Sequence, residues 1–482
     1  MNIKFVARVL GFILLVATAS MIMPLIISLY LHGKDCVPFS LSCLIGCAAG
    51  GAIIFLTRGC EMKNGGIREG GCITVFSWVI VSMLGALPYS MACGVSYTDA
   101  FFEAMSGFTT TGATIFTDIE ALPEGILLWR SLTHLMGGMG IIVLSLAVLP
   151  FLGVSGMEMY KAEVPGVTAG KVTPRLHQTA ARLWGIYIFM ALFETVLLMF
   201  GGMSLFDAFC HSCSTLATGG FSTKNNSIAF FTSPYIQWVI IIFMFLSGVN
   251  FSLYFLIPKK KLKEILSDDE LRGYACIVLC SSIAIALSLY AFDMAGGIEH
   301  TLRQSFFTVV SVMTTTGFVT EDFDLWPEFA KIIIIMLMFI GASGGSTGGG
   351  CKVSRFQIMY RELKCEAVKL LHPRAVVTPV MNARPLGQDT INSATAFFSL
   401  YMLMLGAGTL FVAAYGIDIL TSFTGVLTCL SNVGPGLSRF GATENFAWLP
   451  SGVKWMLSFF MLAGRLELFA VILLMMPSTY RK

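Results

Sequence analysis

Four short segments of this chain carry the residues best suited to chemistry: Thr109-Thr110-Thr111-Gly112, Ala217-Thr218-Gly219-Gly220, Thr314-Thr315-Thr316-Gly317 and Ser431-Asn432-Val433-Gly434. Their composition does not suit acid–base or nucleophilic work. Small, hydroxylated stretches ending on glycine offer backbone carbonyls and hydroxyls, the hard oxygen donors that suit a dehydrated alkali cation. Glycine permits a positive φ and puts no side chain in an ion's path. Four such segments around one axis would stack rings of carbonyl oxygens able to replace the hydration shell of a potassium ion.

The segments read as copies of one motif. Their glycines lie 108, 97 and 117 residues apart, and a gapless alignment on them places Phe101, Phe209, Phe306 and Phe423 eleven residues earlier. Ser106, Ser214, Ser311 and Thr428 stand six residues before each glycine. Small residues are also ordinary packing motifs between membrane helices, but that reading does not account for four copies in register.

The elements that must hold these motifs follow from composition. Of 482 residues, 56% are hydrophobic and only 12% charged, about half the ~25% charge of soluble domains. Long apolar segments precede the motifs at 71–93, 183–203, 273–295 and 393–415, and others follow at 126–153, 235–257, 329–351 and 453–476. Each is long enough to cross a hydrocarbon core of ~30 Å as helix. The half-apolar stretch leading into each motif is too short to span and predicts a re-entrant half-helix, whose C-terminal carbonyls and dipole attract a cation. Two further helices, 9–31 and 37–57, come first. The predicted fold is an all-α polytopic membrane protein: four helix–re-entrant pore loop–helix repeats around a pseudo-four-fold pore, plus two N-terminal transmembrane helices. The boundaries are 1–70 for those two helices, then repeats at 71–157, 158–258, 259–392 and 393–482, with the second helix of repeat three interrupted.

Charge gives the orientation. The N-terminal end, 58–69, 158–182, 259–272, 352–389 and the last two residues hold 23 of the 31 Lys and Arg. The positive-inside rule then puts both termini in the cytoplasm. Acidic residues such as Asp118, Glu120, Glu124, Glu321, Asp322 and Asp324 fall on the outer side, where they would concentrate cations or simply solvate loops. Lys4 and Arg8 precede Val9–Leu31, which is long for a signal peptide and lacks a small-x-small cleavage site, so it reads as a retained helix. Cys210-His211-Ser212-Cys213 lacks the second half a zinc site needs and reads as pore-helix packing. No catalytic constellation appears, so an enzyme is not expected, nor is a nucleic-acid partner.

Two features break the repeat. The run Gly341-Ala342-Ser343-Gly344-Gly345-Ser346-Thr347-Gly348-Gly349-Gly350 cannot form a stable lipid-facing helix, since each glycine costs ~1 kcal/mol against alanine. It is not a phosphate loop, because Cys351 separates Gly350 from Lys352 and Val353 follows. An irregular loop lining a cavity below the motifs fits better. Arg465 lies near mid-membrane, where an arginine costs at least ~2.5 kcal/mol and faces a bundle interior or a cavity. It reads as an electrostatic barrier to cations or as the partner of Glu467 or Glu194. Arg130 and His134 share a helix face and read as structural polar residues.

The segments Thr109-Thr110-Thr111-Gly112-Ala113-Thr114, Gly219-Gly220-Phe221-Ser222-Thr223, Thr314-Thr315-Thr316-Gly317-Phe318, Asn432-Val433-Gly434-Pro435-Gly436 and Gly464-Arg465-Leu466-Glu467 resemble the Trk-type potassium uptake subunits of bacteria, within the Trk/Ktr/HKT superfamily. The resemblance covers essentially the whole chain. It implies potassium uptake across the bacterial inner membrane, K⁺ as the transported ion, a single chain folded like a tetrameric potassium channel, and a homodimer with one pore per subunit. It implies filter roles for the four segments and an intramembrane gating loop at Gly341, Ser343, Gly344, Gly345, Ser346, Thr347, Gly348, Gly349 and Gly350, with Arg465 in the pore nearby. A cytosolic regulatory ring of the TrkA type, binding NAD(H) or ATP and ADP, is the implied partner; Lys259-Lys260-Lys261-Leu262-Lys263 and 352–374 could dock it or be topology signals alone. Members with serine at the first filter glycine tend toward sodium; glycine at all four positions favours potassium. Ala217, Gly219, Asn432 and Val433 depart from the Thr-Thr-Gly pattern and make the ring uneven. A secondary transporter coupling K⁺ or Na⁺ to H⁺ or another solute stays open as the alternative. A permease subunit of an ATP-driven importer would not need four filter motifs.

Overall fold

The computed structural model of the protein describes residues 2–59, 67–140 and 176–476. It opens with α1 (Ile3–Ser20) and α2 (Ile22–Tyr30), two pieces of one span, followed by α3 (Cys36–Leu56). Unit one is α4 (Ile67–Cys93), α5 (Tyr97–Phe108) and α6 (Glu124–Gly138). Unit two is α7 (Leu176–Phe200), α8 (Leu205–Ala217), α9 (Pro234–Ser247) and the single turn α10 (Phe251–Tyr254). After α11 (Leu262–Leu266), unit three comprises α12 (Asp269–Ala291), α13 (Ile298–Met313) and α14 (Glu328–Ile340). An amphipathic helix α15 (Val353–Leu371) and an antiparallel hairpin, β1 (Val380–Met381) with β2 (Arg384–Pro385), lead into unit four. That unit is α16 (Gln388–Ala413), α17 (Ile419–Ser431), α18 (Ser451–Arg465) and α19 (Phe469–Met475). Six helical stretches among the described residues are long and apolar enough to cross a membrane.

Local chemistry sets the ends of these helices. Ser96, Ser204 and Asp418 cap the short helices of units one, two and four by accepting from Asp99 N (3.2 Å), Asp207 N (3.0 Å) and Thr421 N (3.0 Å). Each second helix starts at a proline: Pro123, Pro234, Pro327 and Pro450. Proline suits a helix start because its fixed φ is already helical and it lacks the amide that would go unbonded there.

Packing joins the units into a ring. Each first helix packs on the short helix of its own unit: α4 on α5, α7 on α8, α12 on α13 and α16 on α17. Each second helix packs on the short helix of the next unit: α6 on α8, α9 on α13, α14 on α17, and α18 back on α5. The last contact closes the circle. The first two N-terminal pieces lie outside it, α1 against α3 and α4, and α2 against α6.

The helix of 329–351 is interrupted as expected, but the second helices of units two and four do not run as the continuous spans 235–257 and 453–476 either. The four second helices stop after 15, 14, 13 and 15 residues, at Gly138, Ser247, Ile340 and Arg465. A 14-residue helix rises only ~21 Å, short of the ~30 Å core. Residues with positive φ follow three of the stops, Gly140, Gly341 and the pair Glu467–Leu468 in units one, three and four, while α9 gives way to Gly248 and the short α10. The part of 126–153 beyond 140 lies outside the described residues, as does most of 158–182.

Candidate functional site

The short helices end three or four residues before their glycines, and the four connecting backbones repeat one conformation. Two residues before each glycine, Thr110, Thr218, Thr315 and Asn432 have φ of 54°, 54°, 60° and 57°. Gly112, Gly220, Gly317 and Gly434 follow with φ of 80°, 81°, 76° and 100°. A β-branched residue in the left-handed region is a genuine outlier, worth ~1–3 kcal/mol of strain, and such strain persists only where surrounding structure enforces it. Left-handed residues alternating with ordinary ones turn successive carbonyls to one side of the chain, as a carbonyl cation site requires. The amide before each glycine donates back to the carbonyl of the residue six before it. The bonds are Thr111 to Ser106 (2.8 Å), Gly219 to Ser214 (2.9 Å), Thr316 to Ser311 (2.8 Å) and Val433 to Thr428 (2.9 Å).

The four turns meet head to tail. A Cβ on Gly112 would lie 2.2 Å from the Gly219 carbonyl oxygen, and one on Gly220 2.1 Å from that of Thr316. One on Gly317 would lie 2.1 Å from Val433 O, and one on Gly434 2.6 Å from Thr111 O, which returns to unit one. The threonines at 109–111 and 314–316 are at most 1% exposed, so their side chains are held within the protein. The four glycines share one mouth, lined also by Thr114, Thr117, Ser222, Asn225 and Ser227. On its rim Asn225 Nδ2 donates to Asp118 (3.0 Å), which holds that carboxyl below its usual range.

Side chains behind the ring differ from unit to unit. In units one and three the outer threonines pair through their hydroxyls, Thr109 with Thr111 and Thr314 with Thr316, both at 2.8 Å. In unit four Ser431 bonds Tyr401 instead (2.6 Å), and Asn432 Nδ2 donates to Thr111 Oγ1 (3.0 Å) and Met461 O (2.9 Å). In unit two His134 takes the space: a Cβ on Gly219 would lie 2.4 Å from its Nδ1. That ring bonds Ser214 (3.2 Å) and stacks on Phe221 at 4.1 Å. The departure at Gly219 therefore has a steric cause. Next to it, fully buried Glu103 and Arg130 join units one and two. Glu103 accepts from Arg130 Nε (2.9 Å), Ile115 N (2.9 Å) and Thr114 Oγ1 (3.0 Å), while Arg130 Nη1 donates to Ser222 O (3.1 Å). Arg130 was legible as structural; its partner Glu103, inside an apolar short helix, was not.

Below the ring lies the glycine loop. Thr347 Oγ1 and Ser343 N donate to Ser247 O (3.2 Å) and Gly248 O (3.1 Å), at the break of unit two. Gly349 N donates to the hydroxyl of Thr315 (2.7 Å), and a Cβ there would lie 2.1 Å from Ser431 O. A Cβ on Gly348 would meet Thr314 O at 2.8 Å. Gly341, Gly345 and Gly350 make its left-handed turns, Ser346 Oγ closes onto Ser343 O (2.6 Å), and Gly344 N donates to Glu270 (2.6 Å). Arg465 bonds across the centre, donating to Thr347 O of the loop (2.6 Å) and to Gly137 and Gly138 O at the break of unit one. Glu467 turns instead to Arg355. Buried Lys352 reaches back to Gly348 O. Units two, three and four thus touch the loop and unit one reaches it through Arg465, with Lys352 and Arg465 among the cations beside it. Among the described residues no His/Cys/Asp/Glu group suits a tightly held metal, and Cys210–Cys213 sit in α8.

The family model for TrkH, a cation transport protein, matches residues 43–271 and 296–480. The chain belongs to this family. It is 37% identical to the Trk system potassium uptake protein TrkH of Salmonella typhimurium, over the whole of both chains. It is 35% identical to the Trk system potassium uptake protein TrkG of Escherichia coli, over 98% of each. The crystal structure of the potassium transporter TrkH from Vibrio parahaemolyticus superposes on all of this TrkH-family chain with a TM-score of 0.90, at 34% identity.

Proposed function

We propose that this chain carries potassium into the bacterial cell across the inner membrane, through a channel-like filter made by the four glycine turns. The observation that carries the reading is the closed ring. Each filter glycine abuts the carbonyl before the next one, and the same left-handed backbone recurs in all four units. The sixteen residues at 109–112, 217–220, 314–317 and 431–434 supply its ligands, chiefly backbone carbonyls, to a K⁺ ion that is cargo rather than cofactor. The relatives named above are potassium uptake proteins, which favours this ion.

In this reading the loop 341–350 is a gate, and the conformation described here is closed. Its backbone lies under Thr314, Thr315 and Ser431, and Arg465 and Lys352 place positive charge in the ion's path. A cytosolic nucleotide-binding subunit opens the gate by acting on the basic cytoplasmic face, and the protein works as a homodimer with both termini cytoplasmic. Purified protein in liposomes tests the reading with K⁺, Rb⁺, Na⁺ and Li⁺ gradients. K⁺ and Rb⁺ should permeate well ahead of Na⁺ and Li⁺; equal permeation by all four would defeat the filter assignment. Flux of K⁺ that requires a proton or sodium gradient would favour coupled transport instead.

A further inference from the structure

We propose that Glu270 is a positioning residue for the gate, a latch that ties the glycine loop at Gly344 to the first turn of α15 and so to the cytoplasmic layer. This rests on the gating reading above. Glu270 belongs to the first turn of α12, an outer helix of unit three, and is only 8% exposed. Its Oε1 accepts from Gly344 N at 2.6 Å and from Ser354 N at 3.2 Å. Gly344 lies in the descending arm of the loop, and Ser354 in the first turn of α15, just after the returning arm. One carboxylate oxygen therefore holds the loop against the start of α15. Charge-assisted bonds to backbone amides are the strong kind, and the first amides of α15 have no partner within their own helix. A carboxylate buried this far is costly unless bonded, so the loop satisfies Glu270 as much as Glu270 holds the loop.

The two preceding acids face the other way. Asp268 caps α12 at Leu271 N (2.9 Å) and accepts from Asn382 Nδ2 (2.9 Å) in the hairpin. Asp269 accepts from Asn382 N (2.7 Å) and from Arg361 Nη2 of α15 (2.9 Å), and its carbonyl accepts from Gln357 Nε2 (2.8 Å). Three consecutive acids thus bind the hairpin, the hairpin with α15, and the loop. A displacement of α15 or the hairpin pulls on Asp269, turns the first turn of α12 and draws Glu270 off Gly344. The coupling needs no contact between the displaced surface and the pore.

Full-length protein in liposomes, without any partner, tests this by Rb⁺ uptake in wild type, Glu270→Gln, Glu270→Asp, Asp269→Asn and Arg465→Ala. Glu270→Gln should raise unactivated flux roughly threefold or more, because the bonds to Gly344 and Ser354 lose their charge. Glu270→Asp, one methylene shorter, should raise it less, and Asp269→Asn least, with preference for K⁺ over Na⁺ kept in all three. A gain of selective flux is not a consequence of misfolding. Unchanged flux in both Glu270 variants beside raised flux in Arg465→Ala would overturn the latch and leave the gate standing. Unchanged flux in Arg465→Ala as well would remove the gate, and the latch with it. Loss of K⁺ preference in the Glu270 variants would assign the residue to filter support and overturn the proposal too.

Discussion

At the level of the glycine ring the four units do the same thing; at the helix breaks each does something different. Thr110, Thr218, Thr315 and Asn432 share a conformation that costs three of them strain, and the four glycines share a contact. Beneath them, unit one offers the Gly137 and Gly138 carbonyls, unit two turns into α10, unit three dissolves into glycine, and unit four delivers Arg465. On the function proposed above, the difference follows from two tasks. Coordination of one ion on an axis requires equivalent carbonyls from every side. A barrier on that axis needs only one element that can sit in two places.

The comparison is tested most severely at the ring. Gly317→Ala should abolish selective flux, because the new Cβ would lie 2.1 Å from Val433 O on a residue held at φ 76°. Ion flux with Rb⁺ and Na⁺ measures it. Arg465→Ala attacks the lower region and should act in the opposite sense. A unit charge within ~4 Å of a cation is worth ~4 kcal/mol at an effective dielectric of 20, so unactivated flux should rise at least ~10-fold; unchanged flux would remove the barrier. Gly349→Ala should likewise raise unactivated flux, by less, since its Cβ would lie 2.1 Å from Ser431 O and push the loop from its seat. Glu103→Ala leaves Arg130 buried without its partner and should cost ~3–5 kcal/mol in thermal or denaturant unfolding. The smallest effect belongs to Thr109→Val, which removes one half of a hydroxyl pair and should cost ~1 kcal/mol with little change in ion preference.

The upper region was the more legible in sequence, for a physical reason. Equivalent carbonyl sites need equivalent backbone, and equivalent backbone leaves glycines and hydroxyl residues at fixed offsets. The first helices were also clear, since an apolar run of 20 residues has few other uses. The break in unit three was legible from its glycines, but those in units two and four were missed, because hydropathy continues across Ser247-Gly248-Val249 and Gly464-Arg465-Leu466 while the helix does not. The prolines that begin all four second helices were a usable signal, but their spacing from the glycines varies. Glu103 and Glu270 could not be found at all. Each is defined by partners in distant sequence, Arg130 and Ser354, and nothing in its neighbours announces the bond.

The central claim is that the four turns hold one cation on a common axis. The direct measurement is a structure of the purified protein in Rb⁺, with the ion located by its anomalous scattering. Rb⁺ should lie inside the ring, surrounded by the carbonyls of Thr111, Gly219, Thr316 and Val433. Rb⁺ bound elsewhere in the molecule, with none within that ring, would contradict the account.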